Sequence, residues 1–189
     1  MLTFVDTETT AKPSGKSKPR MCQLTVIFTD NALKTRGIVS SYVYPVDWHV
    51  PKSATAFHGI TQEACEDYGL KAKSLLKAFA FYAGKSDLVV AHNAGFDKRT
   101  IEGEMEQEGI LPPETEWFCT MKESTDIVKL PHANGRKGYK WPKLAEAFKY
   151  FTGNELENAH DALHDTRACR EVYRGILKHR QTEELDLVA

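Results

Sequence analysis

The segment DLVVAH, residues 87–92, is a short and uninterrupted apolar run. Such a run is typical of a strand that is buried on both faces, and a strand of that kind needs helices on each side of its sheet. Three strand-like runs precede it and one follows it: MLTFVD, CQLTVIFTD, RGIVSSYVYP and EWFCT. Turn-like links join the early runs, which favours antiparallel neighbours, and helices alternate with strands afterwards. The sequence therefore predicts an α/β fold in which helices flank a mixed sheet.

Caps and apolar periodicity predict the helices of the middle of the chain. Thr61 is placed to cap a short helix that runs through Tyr68, and residues 71–84, KAKSLLKAFAFYAG, are expected to form a longer helix. Asn93 is predicted to cap a helix that follows the strand DLVVAH and runs to about Gly109. These helices supply the cover that a doubly buried strand requires.

Two further helices are predicted near the end of the chain. Pro142 suits the first position of a helix whose apolar residues recur with helical spacing: Leu144, Ala147, Phe148 and Phe151. A last helix is expected from about Asp161 to Lys178. The stretches 49–60 and 131–141 are predicted to be loops.

The length of 189 residues predicts a single domain, residues 1–180, followed by a short, frayed tail at residues 181–189. The formal net charge is −1, so no overall basic field indicates a nucleic-acid partner. Basic residues are nevertheless concentrated in two stretches, 11–20 and 135–143. For each of them a solvated loop is a simpler interpretation than a phosphate contact.

The four cysteines are scattered and form no Cys-x-x-Cys pair, which is typical of reduced thiols: Cys22, Cys65, Cys119 and Cys169. The acid at position 6 argues against a signal peptide, and no apolar run is long enough to span a membrane. We therefore expect a cytoplasmic protein with no membrane partner. The sequence leaves the oligomeric state open, a homodimer included.

The first strand ends in two acids, Asp6 and Glu8. Residues two apart in a strand point to the same face, about 7 Å apart, so these carboxylates lean the same way and repel each other. A solvated turn would explain this pair alone. Asp97 is a third acid that is expected next to buried residues. It shares a helix face with Ile101 and Met105 and follows the carboxyl end of the strand DLVVAH. A favourable interaction with the helix dipole explains Asp97 alone equally well.

The segment HDALHDTRA, residues 160–168, carries two acids one helical turn apart, Asp161 and Asp165, and spacing alone does not choose between them. Four carboxylates gathered at one place need cations, and oxygen ligands without cysteine suit Mg²⁺ or Mn²⁺. Two such ions about 3.5–4 Å apart form the arrangement that hydrolyses phosphodiesters, and histidine is a natural base for the attacking water. The residues therefore predict a two-metal phosphodiesterase.

Three motifs follow one another along the chain: FVDTETT, HNAGFD and HDALHD. They resemble the three motifs of the DEDD family of 3′→5′ exonucleases, DnaQ-like and of the histidine subtype, over nearly the whole chain. The resemblance implies an RNase H-like fold, a mixed five-stranded sheet flanked by helices. It also implies that two Mg²⁺ or Mn²⁺ ions are held by Asp6, Glu8, Asp97 and Asp165. His160 is implied as the general base, because the family places this histidine five residues before the last acid.

Two further likenesses concern the substrate. FHGIT, residues 57–61, resembles the family's loop beside the terminal nucleotide, which implies that Ile60 packs on the base. We expect nucleic-acid contacts from this loop and from neighbouring motif residues: Thr7, Thr9, His58, Gly59, Ile60 and Asn93. FCTMKES and GYKWPKLAEAF are most similar to the exonuclease X branch, whose members degrade DNA. The implied function is a metal-dependent 3′→5′ exodeoxyribonuclease that acts on DNA 3′ ends and releases nucleoside 5′-monophosphates.

Two alternatives stay open. An exoribonuclease of the same fold would recognise ribose largely through backbone and shape, which the sequence does not reveal, so RNA stays a candidate partner. A catalytically silent nucleic-acid-binding module on the same fold is the other alternative. Loss of one acid would be its simplest signature, whereas all five positions, the four acids and the histidine, are filled here.

Overall fold

The computed structural model describes residues 1–11, 19–157 and 161–188. Its centre is a five-stranded sheet with the strand order β3-β2-β1-β4-β5, formed by Leu2–Thr9 (β1), Met21–Thr29 (β2), Thr35–Tyr42 (β3), Leu88–Ala91 (β4) and Glu116–Cys119 (β5). β2 is antiparallel to β1 and β3, whereas β4 runs parallel to β1 and β5 runs parallel to β4. The predicted mixed sheet of five strands is confirmed.

The helices of the described residues are Lys52–His58 (α1), Gln62–Tyr68 (α2), Ala72–Ala83 (α3), Ala94–Gln107 (α4), Thr120–Glu123 (α5), Thr125–Val128 (α6), Leu144–Thr152 (α7) and Ala162–Val188 (α8). Helices cover both faces of the sheet. Successive residues of a strand point to opposite faces, so neighbouring residues of β4 show what packs on each side. Val89 packs in a cluster with Phe79 of α3 and Ile101 of α4. The next residue, Val90, packs in a second cluster with Tyr173 of α8. β4 is therefore buried on both faces, as predicted.

The predicted caps of α2 and α4 lie at the predicted residues, but only one of the two makes a side-chain capping hydrogen bond. The Thr61 side chain accepts a hydrogen bond from the Ala64 N–H at 3.1 Å, which confirms the predicted cap of α2. Asn93 precedes α4 as predicted, but its φ is 70°, in the left-handed region. Within the described residues its side chain makes no capping hydrogen bond, because a capping side chain requires an extended backbone at that position. Asn93 is therefore the N-cap residue of α4, as predicted, but the contact is made by its backbone carbonyl, which accepts the Phe96 N–H at 2.8 Å.

The stretch 49–60, predicted to be a loop, contains helix α1. The helix follows Pro51, whose φ of −65° suits the start of a helix. It ends at Gly59, which has a φ of 77° and donates its N–H to the Thr55 carbonyl at 2.7 Å. Glycine tolerates this left-handed conformation without steric cost, so it is a common helix end. The helix was missed because seven residues are too few to show a helical period.

Helix α7 begins two residues later than predicted, at Leu144 instead of Pro142. The stretch 131–141 lies mostly exposed between α6 and α7, as predicted for a loop. Helix α7 begins after Lys143, whose backbone N–H donates to the Glu146 carboxylate at 2.7 Å. This contact stabilises the first turn of the helix. Pro142 consequently lies outside the helix and not at its first position.

Helix α8 continues to Val188, well beyond the end predicted near Lys178. Residues 181–188, predicted as a frayed tail, are therefore helical in this structure. Ala162 and Ala168 are buried near the start of α8, which lets the helix approach the sheet closely. Within the described residues, the structure contains no helix that is both long enough and apolar enough to span a membrane.

All four cysteines are free thiols, as their scattered positions predict. Cys22, Cys65 and Cys169 are buried, and Cys119 is half-buried. Burial raises the pKa of the Cys65 thiol to about 11, so this thiol stays protonated and unreactive at neutral pH. The three buried cysteines therefore act as core residues.

Candidate active site

Three carboxylates meet where β1 ends and α8 begins. One carboxylate oxygen from each of Asp6, Glu8 and Asp165 lies within 4.8 Å of the other two. Asp6 and Glu8 share a face of β1, as their spacing predicts, while Asp165 comes from the first turn of α8. Glu8 and Asp165 are buried and Asp6 is half-buried, so these charges are gathered away from bulk solvent.

Asp97 lies beside this group, in the first turn of α4 and after the carboxyl end of β4. Its side chain is 1% exposed. One carboxylate oxygen, Oδ1, accepts two hydrogen bonds from Thr7: from the backbone N–H at 3.1 Å and from the hydroxyl at 2.9 Å. Asp97 is therefore fixed against β1. The structure thus brings together the four acids that the sequence singles out, whose role as metal ligands stays a prediction.

The electrostatics of the cluster follow from burial and mutual repulsion. Burial, followed by repulsion from neighbouring carboxylates, holds the pKa of Asp6 well above its usual range. The same causes raise the pKa of Glu8 to about 8. Burial raises the pKa of Asp97 to about 7, although the hydrogen bonds from Thr7 act in the opposite direction. A cluster of this kind carries its full negative charge only when cations compensate it.

The structure separates the two acids at the start of α8 that spacing leaves equivalent. Asp161 precedes the helix, and its Oδ1 accepts hydrogen bonds from the backbone N–H groups of Leu163 at 3.0 Å and His164 at 3.1 Å. These are the contacts of a helix cap. Asp165 belongs instead to the carboxylate group. His160, the predicted general base, lies outside the described residues.

Gln23 is a buried polar residue of the site that the sequence reasoning missed. It lies directly opposite Glu8 in the β1–β2 ladder. Its side-chain Oε1 accepts a hydrogen bond from the Ala162 N–H at 3.3 Å, the first backbone donor of α8. Gln23 therefore joins the strand beside Glu8 to the helix that carries Asp165. A lone amide within the apolar strand MCQLTVIF is the signal that could have identified it.

Glu104 is a second buried residue that the sequence reasoning missed. Its carboxylate accepts hydrogen bonds from the Arg20 side chain at 2.9 Å and from the Met21 N–H at 3.0 Å. Asp97 and Glu104 thus attach the same helix, α4, to β1 and to the start of β2. A carboxylate that pairs with a guanidinium and a backbone donor is well compensated, in contrast to the four acids of the site.

The segment that resembles the terminal-nucleotide loop lies beside the end of β1. His58 Nε2 is 3.3 Å from the Thr9 carbonyl, and its Nδ1 accepts the Ile60 N–H at 3.1 Å. A ring that accepts at Nδ1 donates from Nε2, so the hydrogen bonds favour a neutral His58. Ile60 is only 4% exposed and packs with Cys22 in a small apolar cluster. The predicted contact of Ile60 with a base would require its side chain to leave this cluster.

The other predicted nucleic-acid contacts differ in their accessibility. The Thr7 hydroxyl is engaged with Asp97, and the Thr9 hydroxyl donates to the Ala11 carbonyl at 2.8 Å. Both threonines are buried, so their side chains support the site from within. Asn93 is exposed at the start of α4. Of these three residues, Asn93 is the one whose side chain is accessible to a ligand.

Comparison with known proteins identifies the family and the fold of the chain. The family model RNase_T, described as an exonuclease, matches residues 3–173. The chain belongs to this exonuclease family. It is 30% identical over 173 residues to the uncharacterized exonuclease CP81 of Escherichia phage 186. That match covers 87% of this exonuclease and 81% of the phage protein.

Solved structures share the fold of this exonuclease at low sequence identity. E. coli exonuclease I in complex with a dT13 oligonucleotide superimposes with a TM-score of 0.76 over 98% of the chain, at 18% identity. The zinc-ion-bound form of the E. coli exonuclease I–ssDNA complex gives a TM-score of 0.77, also at 18% identity. The chain spans 42% of the length of each of these proteins. The likeness therefore describes the fold.

Proposed function

We propose that this exonuclease removes nucleotides one at a time from the 3′ end of DNA and releases nucleoside 5′-monophosphates. The observation that carries the proposal is the meeting of Asp6, Glu8 and Asp165 within 4.8 Å, with Asp97 beside them, in a chain of an exonuclease family. A buried group of like charges is unfavourable in itself, so a ligand of opposite charge is its simplest explanation.

The donor set fits two divalent cations. Asp6, Glu8, Asp97 and Asp165 offer carboxylate oxygens, which are the preferred ligands of Mg²⁺ and Mn²⁺. Divalent cations, when bound, supply an activated water and stabilise the leaving oxygen of a phosphodiester. A zinc-ion-bound form of E. coli exonuclease I is among the structures that share the fold, which supports divalent-cation binding by this fold.

The protein's own residues position the reacting groups in this proposal. Thr7 holds Oδ1 of Asp97, so the carboxylate is oriented before any ligand binds. Gln23 holds the start of α8 against β2, beside Glu8, and with it the position of Asp165. His160 accepts the proton of the attacking water as the neutral imidazole, and the 3′ oxygen of the penultimate nucleotide leaves.

The preference for DNA rests on two supports. Exonuclease I, which shares the fold, has been solved with bound dT13. The segments FCTMKES and GYKWPKLAEAF resemble the exonuclease X branch. RNA is the alternative substrate, and a direct comparison of the two distinguishes them.

The test is a digest with Mg²⁺ of DNA and RNA oligonucleotides of equal sequence, labelled at the 5′ end. We expect a ladder that shortens from the 3′ end, faster for DNA, with nucleoside 5′-monophosphates as the products. A blocked 3′ end should stop the reaction. Degradation that ignores the block, or products that carry a 3′-phosphate, would contradict the proposal, and faster cleavage of RNA would reassign the substrate.

A further inference from the structure

The segment between α6 and α7 has a charge unlike that of the rest of the chain. Residues 131–143, PHANGRKGYKWPK, contain four cationic side chains and no acid, although the whole chain has a net charge of −1: Arg136, Lys137, Lys140 and Lys143. We refer to residues 131–143 as the basic loop. Lys140 pairs with the Glu146 carboxylate of α7, whereas Arg136 and Lys137 are exposed to solvent. These two cations attract polyanions, since the phosphates of a nucleic acid are their natural counter-charges.

The basic loop also exposes two aromatic side chains next to these cations. Tyr139 is 43% exposed and Trp141 is 61% exposed. The backbone around them is held in place, because the Lys140 N–H donates to the Leu130 carbonyl at 2.9 Å and Pro131 pairs with Tyr139 in a β-bridge. Aromatic rings on a fixed backbone and in contact with water are typical of a surface that binds a partner.

The base of the loop is attached to the active-site edge of the sheet through His92. This residue follows β4 and precedes Asn93 and α4, the helix that presents Asp97. Its Nε2 lies 3.0 Å from the Pro142 carbonyl, and its Nδ1 lies 3.0 Å from the Thr120 hydroxyl. Because a carbonyl can only accept, His92 donates from Nε2. The base of the loop is therefore held to the residue that directly precedes the N-cap of α4, the helix that presents Asp97.

We propose that the basic loop binds single-stranded nucleic acid just upstream of the nucleotide that is removed. Unpaired bases stack on Trp141 and Tyr139, while Arg136 and Lys137 contact the phosphates between them. Base pairs in a duplex present no free face to such rings, so the loop favours single strands. This inference rests on the proposed function for the position of the 3′ end, but the binding itself is independent of hydrolysis.

The test measures the binding of fluorescent dT12 to the full chain in EDTA, so that hydrolysis does not interfere. Trp141→Ala removes one base-stacking ring and is expected to weaken dT12 binding roughly five- to one-hundred-fold. Trp141→Phe keeps an aromatic face and should restore most of the affinity. The matched control is Tyr150→Ala, which removes a 52% exposed ring from α7, outside the loop, and should leave binding unchanged.

The cationic side chains give a second measurement. For single strands, each phosphate contact contributes about −0.7 to the slope of log affinity against log salt concentration. Arg136→Ala and Lys137→Ala should each reduce that slope by about this amount. The matched control is Lys149→Ala, an exposed cation of α7, which should leave the slope unchanged.

Three outcomes separate this inference from the proposed function. Equal binding of dT12 by wild type and Trp141→Ala overturns the inference, even if the protein hydrolyses DNA normally. Equal losses for single-stranded and duplex DNA overturn the preference for single strands. If the wild-type protein hydrolyses no nucleic acid, the proposed function is wrong. A loss of dT12 binding in Trp141→Ala would then still support the basic loop as a binding surface.

Discussion

Thr7 binds the Asp97 carboxylate twice, with its backbone N–H at 3.1 Å and its hydroxyl at 2.9 Å from the same oxygen, Oδ1. Both donors come from the middle of the motif FVDTETT, between Asp6 and Glu8. The threonine between two acids therefore positions a third. Because Oδ1 is occupied by two donors, Oδ2 is the oxygen better placed to bind a cation.

Replacement of Thr7 by valine tests this arrangement. Thr7→Val removes the hydroxyl, keeps the backbone donor and preserves the shape of the side chain. A hydrogen bond to a charged group contributes about 1.5–3 kcal/mol, so we expect Mn²⁺ affinity to fall by roughly ten-fold or more. Titration calorimetry measures the affinity. The control is Thr3→Val on the same strand, whose hydroxyl bonds Ser86 at 2.8 Å; similar losses in both variants would contradict the prediction.

The two acids of α8 should differ sharply when each is made neutral. Asp165→Asn removes a charge from the carboxylate group and should reduce turnover below detection while the fold is kept. Asp161→Asn should be tolerated, because asparagine accepts the same capping hydrogen bonds from Leu163 and His164. Nuclease rates with Mg²⁺ and thermal unfolding of both variants provide the comparison. A larger loss of turnover in Asp161→Asn would show that the wrong acid has been assigned.

The stability of the metal-free protein should fall as pH rises. The pKa values of about 8 for Glu8 and about 7 for Asp97 lie above the values near 4 of an unfolded chain. Between about pH 4 and pH 8 the folded state therefore binds more protons than the unfolded state. The contribution of these groups to stability is fully present below about pH 4 and is lost as pH rises through their folded pKa values, on the order of a few kcal/mol.

Urea unfolding in EDTA from pH 5 to pH 9 measures this effect. Glu8→Gln carries no charge at this position, so its free energy of unfolding should depend less on pH than that of the wild type. Addition of Mg²⁺ should stabilise the wild type most at the alkaline end, where the carboxylates are ionised. Parallel pH profiles for the two proteins would contradict the assignment.

The sequence predicts the sheet and the meeting of the acids because both are encoded locally. Alternation places Asp6 and Glu8 on one face, and the order of strand and helix places Asp97 at the same edge. The contact of Gln23 with Ala162 joins residues 139 positions apart, so no local pattern reveals it. The burial of Ile60 was missed for a similar reason, since an apolar side chain in a loop-like segment does not indicate whether a core covers it.

His160 should behave as a general base and His164 should not. His160→Ala is expected to reduce turnover on the order of 100- to 10,000-fold with cation binding retained. His164 pairs with Asp161 at 3.0 Å on the surface, so His164→Ala should keep most of its activity. The wild-type rate should rise with pH through the titration of an imidazole, about pH 6.5 in its ordinary state. Single-turnover rates from pH 5 to pH 9 check this; a pH profile unchanged in His160→Ala would refute the role.

Gln23 should control the position of Asp165 relative to Glu8. Gln23→Met keeps the length of the side chain but leaves the Ala162 N–H without its acceptor, which costs about 1–3 kcal/mol for a buried donor. We expect lower stability together with weaker Mn²⁺ binding, because the start of α8 is no longer held to β2. Thr29→Val is the control: Thr29 is buried on the same strand, opposite Leu2 at the far end of β1 from the acids, and its hydroxyl donates to the Leu2 carbonyl at 3.5 Å. It should lose stability without a comparable loss of cation affinity. Equal Mn²⁺ affinity in Gln23→Met and the wild type would reduce Gln23 to a core residue with no part in positioning the site.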